Sequence, residues 1–195
     1  MVEDSGHATV TDSRTADARQ PEWVFGYGSL IYKVDFPYIE RRVASIAGWT
    51  RRFWQGSHDH RGTPEAPGRV VTLLPAPGTI CRGMAYRIEP GVFTHLDHRE
   101  KNGYARHRVD IALADSGKTV SGTLYVASEH NPAYLGPAGL DEVAAHIAGA
   151  RGPSGANRDY LFDLADALRR IGDADDHVAE LERRVRALAA DASAP

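Results

Sequence analysis

Two short stretches of this 195-residue chain carry side chains of the kinds that do chemistry. The first, Leu96-Asp97-His98-Arg99-Glu100-Lys101-Asn102-Gly103-Tyr104, crowds five ionisable residues between an apolar helical turn and a β-prone run. As a solvated charge run it has no chemical role. With one carboxylate turned inward at the helix-to-strand corner it is a proton-transfer site, because a carboxyl in an apolar pocket has a raised pKa and exchanges protons near neutral pH. The residue types leave both readings open. The second stretch, Phe25-Gly26-Tyr27-Gly28-Ser29-Leu30, breaks a β-prone run with two glycines. Glycine lets a ligand come close to the main chain, and successive N–H groups in such a turn can hold a carboxylate or an oxyanion. A purely structural turn is the alternative. No Gly-Lys-Ser/Thr follows, and the third glycine of a dinucleotide fingerprint is missing, so nucleotide phosphates are not indicated.

Other chemistry-bearing residues point less far. His58 with His60, and His95 with His98, raise a metal site. No second Cys and no His-Glu-x-x-His spacing accompany them, so no metal is expected. Cys81, the only cysteine, lies in the run Thr79–Ile88 and reads as a core thiol rather than a nucleophile. Gly152-Pro153-Ser154-Gly155-Ala156-Asn157-Arg158-Asp159-Tyr160-Leu161 reads as a loop and helix start with Ser154 or Asn157 as cap. That reading leaves Tyr160 able to face a pocket.

The elements that must position these residues follow from periodicity. Trp23–Phe25 is a strand entering the glycine turn. Val43–Trp49, Arg51–Gln55, Val70–Leu74, Ile80–Ile88, His107–Leu113 and Thr119–Val126 are further short strands, and their turn-marked spacing favours a barrel or closed sheet. Gly62–Gly68 reads as a surface loop. Val92–His98 and Asp141–Ala148 are short helices. Ala156–Ile171 carries the stripe Leu161, Leu164, Leu168, Ile171, with Gly172 as its C′ residue. A last helix from about Asp175 to Ala190 places Val178, Leu181, Val185 and Leu188 on one side, with Asp173 or Asp175 as its cap. Strands first and helices after argue an α+β fold rather than βαβ repeats.

Composition narrows the function classes. The net charge of −3 gives no electrostatic footprint for nucleic acid or an acidic membrane surface. A single cysteine cannot form an internal disulfide, and no stretch approaches the ~18 apolar residues that span a bilayer. A cytoplasmic location is the expectation. Residues 1–20 lack an apolar h-region and read as a disordered tail, residues 21–190 as one domain, and residues 191–195 as a C-terminal tail.

Taken in order, the motifs resemble the ChaC family of γ-glutamylcyclotransferases. The matching stretches are WVFGYGSLIYKVDFPY at Trp23–Tyr38, RRFWQGSHDHRG at Arg51–Gly62, PGRVVTLL at Pro67–Leu74 and GMAYRI at Gly83–Ile88. LDHREKNGY at Leu96–Tyr104, YLGP at Tyr134–Pro137 and GPSGANRDYL at Gly152–Leu161 complete the set. The resemblance implies a small β-barrel flanked by helices, the γ-glutamylcyclotransferase-like fold. It implies cleavage of glutathione to 5-oxoproline and Cys-Gly by attack of the substrate's own α-amine, with no cofactor. Glu100 is then the acid/base, and Gly26, Tyr27, Gly28, Ser29, Leu30 and Ile31 bind the γ-glutamyl end. Tyr160 is expected to face the substrate, and one of Arg51, Arg61 and Arg69 to meet the glycine carboxylate. Tyr32 stands where relatives often carry Trp, and Asp159 where Glu is frequent. Protein partners are not indicated. The competing expectations are the same chemistry on other γ-glutamyl compounds and a non-catalytic module that binds a small acid.

Overall fold

A computed structural model describes residues 20–99 and 103–191 of the chain. Strand β1 (Glu22–Gly26) leads into a 3₁₀ turn (Ser29–Ile31), and two long strands follow, β2 (Glu40–Ser57) and β3 (Gly68–Ile88). Helix α1 (Val92–Arg99) precedes β4 (Tyr104–Leu113) and β5 (Thr119–Ala127). Helix α2 (Leu140–Gly149), the two-residue strands β6 (Arg151–Gly152) and β7 (Gly155–Ala156), and helices α3 (Asn157–Arg170) and α4 (Asp176–Asp191) complete the order.

The sheet closes into a barrel in the order β1-β3-β2-β4-β5. Every neighbouring pair is antiparallel except the closing one, where β1 runs parallel to β5 with Trp23, Val24 and Phe25 opposite Gly122, Thr123 and Leu124. Successive strand residues face opposite sides, yet Val24 and Phe25 are both buried, so β1 is covered inside and out. Closure removes the free edges that open sheets must protect.

The breaks read in β2 near Thr50 and in β3 between Leu74 and Ile80 are absent. Each pair of expected strands is one continuous strand, and the two form a long hairpin with register shifts at Ala47/Trp49 and Arg52/Gln55. A bulge absorbs an extra residue and bends the strand without ending it. Gly48 and Gly78, at φ of +81° and +83°, supply the left-handed conformations at the first shift. Pro75 and Pro77 are tolerated because they lie on the exposed stretch at this irregularity.

The helices follow the sequence reading closely. Leu161, Leu164 and Leu168 of α3 and Val178, Leu181 and Val185 of α4 are buried, whereas Leu188 is exposed. Burying each Leu or Val contributes roughly 1.5–3 kcal/mol. Gly172 ends α3 in a Schellman motif: Asp173 N–H donates to the Leu168 carbonyl at 2.9 Å and Gly172 N–H to the Arg169 carbonyl at 3.0 Å. Asp175 caps α4 by accepting from Val178 N–H at 3.0 Å. Asp191, assigned from sequence to the C-terminal tail, is the last residue of α4. The segment read as an N-terminal tail lies, apart from Gln20, outside the described residues.

Candidate active site

The glycine turn after β1 lines an inner cavity of about 70 Å³, together with Phe25, Val71, Tyr104, Tyr125 and Tyr160. Its carbonyls are tied away from that space. Arg51 Nε donates to the Tyr27 carbonyl at 2.7 Å, Tyr86 Oη to the Leu30 carbonyl at 2.5 Å, and Arg41 Nη2 to the Ile31 carbonyl at 2.8 Å. Ile31 N–H closes the 3₁₀ turn on the Gly28 carbonyl at 2.9 Å. In a trans peptide C=O and N–H point in opposite directions, so fixing the Tyr27 carbonyl aims Gly28 N–H away from Arg51. Among the described residues, no group accepts from Gly28 N–H or Leu30 N–H. The turn is thus both a structural feature and a set of main-chain donors. Space holds both glycines in place. A Cβ on Gly26 would lie 2.6 Å from Leu30 Cβ, and one on Gly28 would lie 3.0 Å from Val71 Cγ2 and 3.1 Å from Tyr160 Oη. Gly26, Tyr27, Gly28, Ser29, Leu30 and Tyr160 come together at this cavity. Ile31 does not: its side chain is buried in the core and lines neither cavity.

The cavity wall is aromatic. Tyr160 packs edge-on against Phe53 at 5.9 Å between ring centroids, and its hydroxyl accepts from Val71 N–H at 3.4 Å. Tyr125 donates to Asp97 Oδ1 at 2.8 Å, and burial, then the Asp97 carboxylate, push its hydroxyl pKa up, so it remains a donor. Arg106 grips the same carboxylate with both arms of its fork, Nε to Oδ1 at 2.7 Å and Nη2 to Oδ2. That grip, with help from Tyr125, holds the Asp97 carboxyl below its usual range. Behind Tyr160, Phe53 N–H donates to His177 Nε2 at 3.2 Å. Burial lowers the pKa of His177 to about 4, in keeping with a neutral ring that accepts a hydrogen bond.

Glu100, the expected acid/base, lies outside the described residues, as do Lys101 and Asn102. The flanks of this segment are well anchored. Asp97 and Arg106 tie α1 to β4 across it. Gly103, at φ +92°, abuts Asn131 so closely that a Cβ would lie 2.5 Å from Asn131 Cβ. Asn131 and the buried Gln55 exchange amide hydrogen bonds of 3.0 and 3.1 Å. Tyr104, one residue on, lines both the inner cavity and a larger outer one.

The outer cavity, about 790 Å³, shares Ser29, Tyr104 and Tyr160 with the inner and is otherwise lined mainly by polar side chains, among them Lys33, Asp35, His58, Asp59, His60, Arg61 and Ser154. Its volume is in the range of small-molecule sites. One wall is the loop after β2, held to the β6–β7 hairpin. Ser154 N–H donates to the His60 carbonyl at 2.9 Å, and the His60 ring meets Ser154 Oγ at 3.1 Å. Neither Ser154 nor Asn157 caps α3. Ala156 stands at the cap position without a side-chain bond, while the fully buried Asn157 amide clamps the Arg69 backbone with bonds of 2.6 and 2.7 Å. A buried amide needs such partners more than an exposed helix end needs a cap.

The three candidate arginines separate. Arg51 is 1% exposed and fully engaged with Tyr27, Arg82 and Asp175, the last at 2.6 Å. Arg69 is buried against the Phe53 and Gly136 carbonyls. Only Arg61 of the three lines the outer cavity. Cys81 is buried, and burial raises its thiol pKa to about 11, which suits a core residue. His95 and His98 are exposed on α1.

The family model described as ChaC-like protein matches residues 22–188. The chain belongs to the ChaC-like family. A γ-glutamylcyclotransferase of Arabidopsis thaliana (number 2-3) is 46% identical over 176 residues, spanning 84% of this chain and 88% of that protein. The glutathione-specific γ-glutamylcyclotransferase 1 of Danio rerio is 40% identical over 169 residues, 82% of this chain and 86% of that protein. The crystal structure of a yeast γ-glutamylcyclotransferase specific to glutathione superposes with a TM-score of 0.78 at 34% identity, covering 86% of this chain and 96% of that one. The barrel flanked by helices is therefore the γ-glutamylcyclotransferase-like fold of this family.

Sequence reasoning missed three residues that line the cavities, Tyr125, Tyr104 and Gln55, and Asn131, which pairs with the Gln55 amide. Tyr125 was legible as an inward aromatic with a polar tip on a predicted strand. Tyr104 closed a quoted motif without a role. Gln55 and Asn131 carried no signal beyond being amides, because their value lies in pairing across 76 residues of sequence.

Proposed function

We propose that this chain is a glutathione-specific γ-glutamylcyclotransferase, releasing 5-oxoproline and Cys-Gly. The observation that carries the reading is the inner cavity floored by main-chain donors at Gly28 and Leu30 and opening into a larger polar cavity. A γ-glutamyl group bears a carboxylate and a carbonyl that becomes an oxyanion, and a donor cradle suits either one. The similarity to proteins named glutathione-specific γ-glutamylcyclotransferase supports the substrate.

The reaction is redox-neutral. The substrate's α-ammonium gives a proton to Glu100. The free amine attacks the γ-carbonyl carbon, forming the lactam C–N bond and a tetrahedral oxyanion. The γ-amide C–N bond then breaks as Glu100 returns the proton to the departing cysteinyl nitrogen, and that amine takes up the second proton of the attacking nitrogen, leaving a neutral lactam and the Cys-Gly ammonium. Holding the chain folded for ring closure removes much of the entropic barrier; effective molarities of about 10⁵ M or more are typical of well-oriented intramolecular reactions. Proton transfer by a positioned group contributes about 10²–10⁴-fold. Gly103 and Tyr104 line the outer cavity.

Mass detection of 5-oxoproline from glutathione tests the proposal. The wild-type protein should release it with Cys-Gly in equal amount, and Glu100→Gln should keep the fold and lose at least about a hundredfold in turnover. Near-normal release by that variant removes Glu100 from the role. No 5-oxoproline from any γ-glutamyl substrate turns the reading toward a binding module. The name of the Arabidopsis relative does not specify glutathione, so γ-Glu-Ala at equal concentration is the comparison that sets the substrate range.

A further inference from the structure

The wall of the outer cavity carries an arginine. Arg61 is half-buried, its backbone N–H donates to Ser57 Oγ at 3.0 Å, and its Nη1 donates to the Ala156 carbonyl at 3.1 Å. The guanidinium carbon sits over the Tyr160 ring at 5.8 Å from the centroid. These contacts fix one arm of the fork; among the described residues nothing accepts from the Nε–Nη2 edge and no carboxylate pairs with Arg61. An arginine held on one arm and open along the other edge is preorganised for side-on, bidentate capture of a carboxylate.

We propose that Arg61 reads the terminal carboxylate of the departing dipeptide and so sets the preference for a γ-glutamyl dipeptide over shorter or uncharged γ-glutamyl compounds. The inference rests on the cyclotransferase reading of the site. Tyr160 is the shared wall of the two cavities, so a substrate with its γ-glutamyl group in the inner one passes its leaving group along that ring. Two extended residues reach about 7 Å, and the Arg61 guanidinium carbon lies 5.8 Å from the centre of that ring. The γ-glutamyl end has its own donors in the Gly28 turn, which leaves the far carboxylate as the anion that the outer wall must recognise. Lys33 also lines this cavity, but it is exposed and its ammonium cannot match a carboxylate bidentately.

The test is the ratio of kcat/KM for glutathione to that for its glycine ethyl ester, which keeps every reacting atom and removes only the terminal charge. The wild-type ratio should be about tenfold to a hundredfold, as for loss of a charge-assisted pair. Arg61→Gln should bring it near one by lowering the value for glutathione alone, and Arg61→Lys should give an intermediate ratio. A residue that only braces the loop would lower both substrates equally and leave the ratio unchanged, which overturns the proposal. A ratio abolished by Lys33→Gln and untouched by the Arg61 variants overturns it as well. Failure of the wild-type protein to release 5-oxoproline from either compound refutes the cyclotransferase reading itself, whereas equal wild-type rates on acid and ester refute only the role of Arg61.

Discussion

The inner and outer cavities share a wall of Tyr160, Tyr104 and Ser29 but are built on opposite principles. Main-chain groups floor the inner one, and the side chains that shape it belong to the barrel: Arg51, Tyr86 and Arg41 hold its carbonyls from behind. Polar side chains on the loop after β2 and on the β6–β7 hairpin line the outer one. A reacting group needs positions fixed to a fraction of an ångström, and a closed barrel provides them. A leaving group needs recognition rather than rigidity, and surface loops on a scaffold suit that task. Two arginines make the contrast concrete: Arg51 is sealed inside with every arm engaged, while Arg61 keeps one edge of its fork open.

Replacing each arginine sharpens the comparison. Arg51→Met strands the Asp175 carboxylate and two buried carbonyls, and should cost about 3–5 kcal/mol of stability. Arg61→Gln should cost less than about 1 kcal/mol, because its one bond lies at a half-exposed rim. Denaturant midpoints at unchanged m-value check both. Equal costs would erase the distinction between a structural and a recognition arginine.

The inner region should also be the pH-sensitive one. His177 is neutral in the fold, with its pKa lowered by burial to about 4 from the ordinary histidine value of 6.5. The unfolded chain therefore takes up a proton that the fold refuses. Stability from this group is complete above about pH 6.5 and is lost as pH falls toward 4. Partial exposure of the ring limits the change to the order of 2 kcal/mol. Unfolding at pH 7.5 and 5 should show the drop, and His177→Gln should flatten it. An unchanged slope in that variant would place the acid sensitivity elsewhere.

A further test concerns one hydroxyl. Tyr86→Phe leaves the Leu30 carbonyl without its 2.5 Å partner and should lower stability by about 1 kcal/mol. Because that bond helps aim the donor turn, KM for glutathione should rise by a few-fold, at most about tenfold for 1.4 kcal/mol. An unaltered KM would mean that the turn keeps its shape without it.

The two regions also differ in how far the sequence could be read. The glycine turn was visible because a β-prone run met Gly26 and Gly28, and local chemistry sufficed. Strand existence and the helical stripes were visible for the same reason. The continuity of β2 and β3 was not, since Pro75, Pro77 and Gly78 carry break signals that only the bulged pairing overrides. Asn157 looked like a cap because its true partner, the Arg69 backbone, is 88 residues away. Arg51, Arg61 and Arg69 were indistinguishable by type, and burial alone separated them.

The central claim is that main-chain donors of the Gly28 turn hold the γ-glutamyl end inside the barrel wall. A crystal structure of the Glu100→Gln protein with glutathione tests it most directly. The account predicts an oxygen of the γ-glutamyl group about 3 Å from the Gly28 or Leu30 nitrogen, with the Cys-Gly portion in the outer cavity. Glutathione bound with its γ-glutamyl end in the outer cavity, and no ligand atom at the turn, would contradict it.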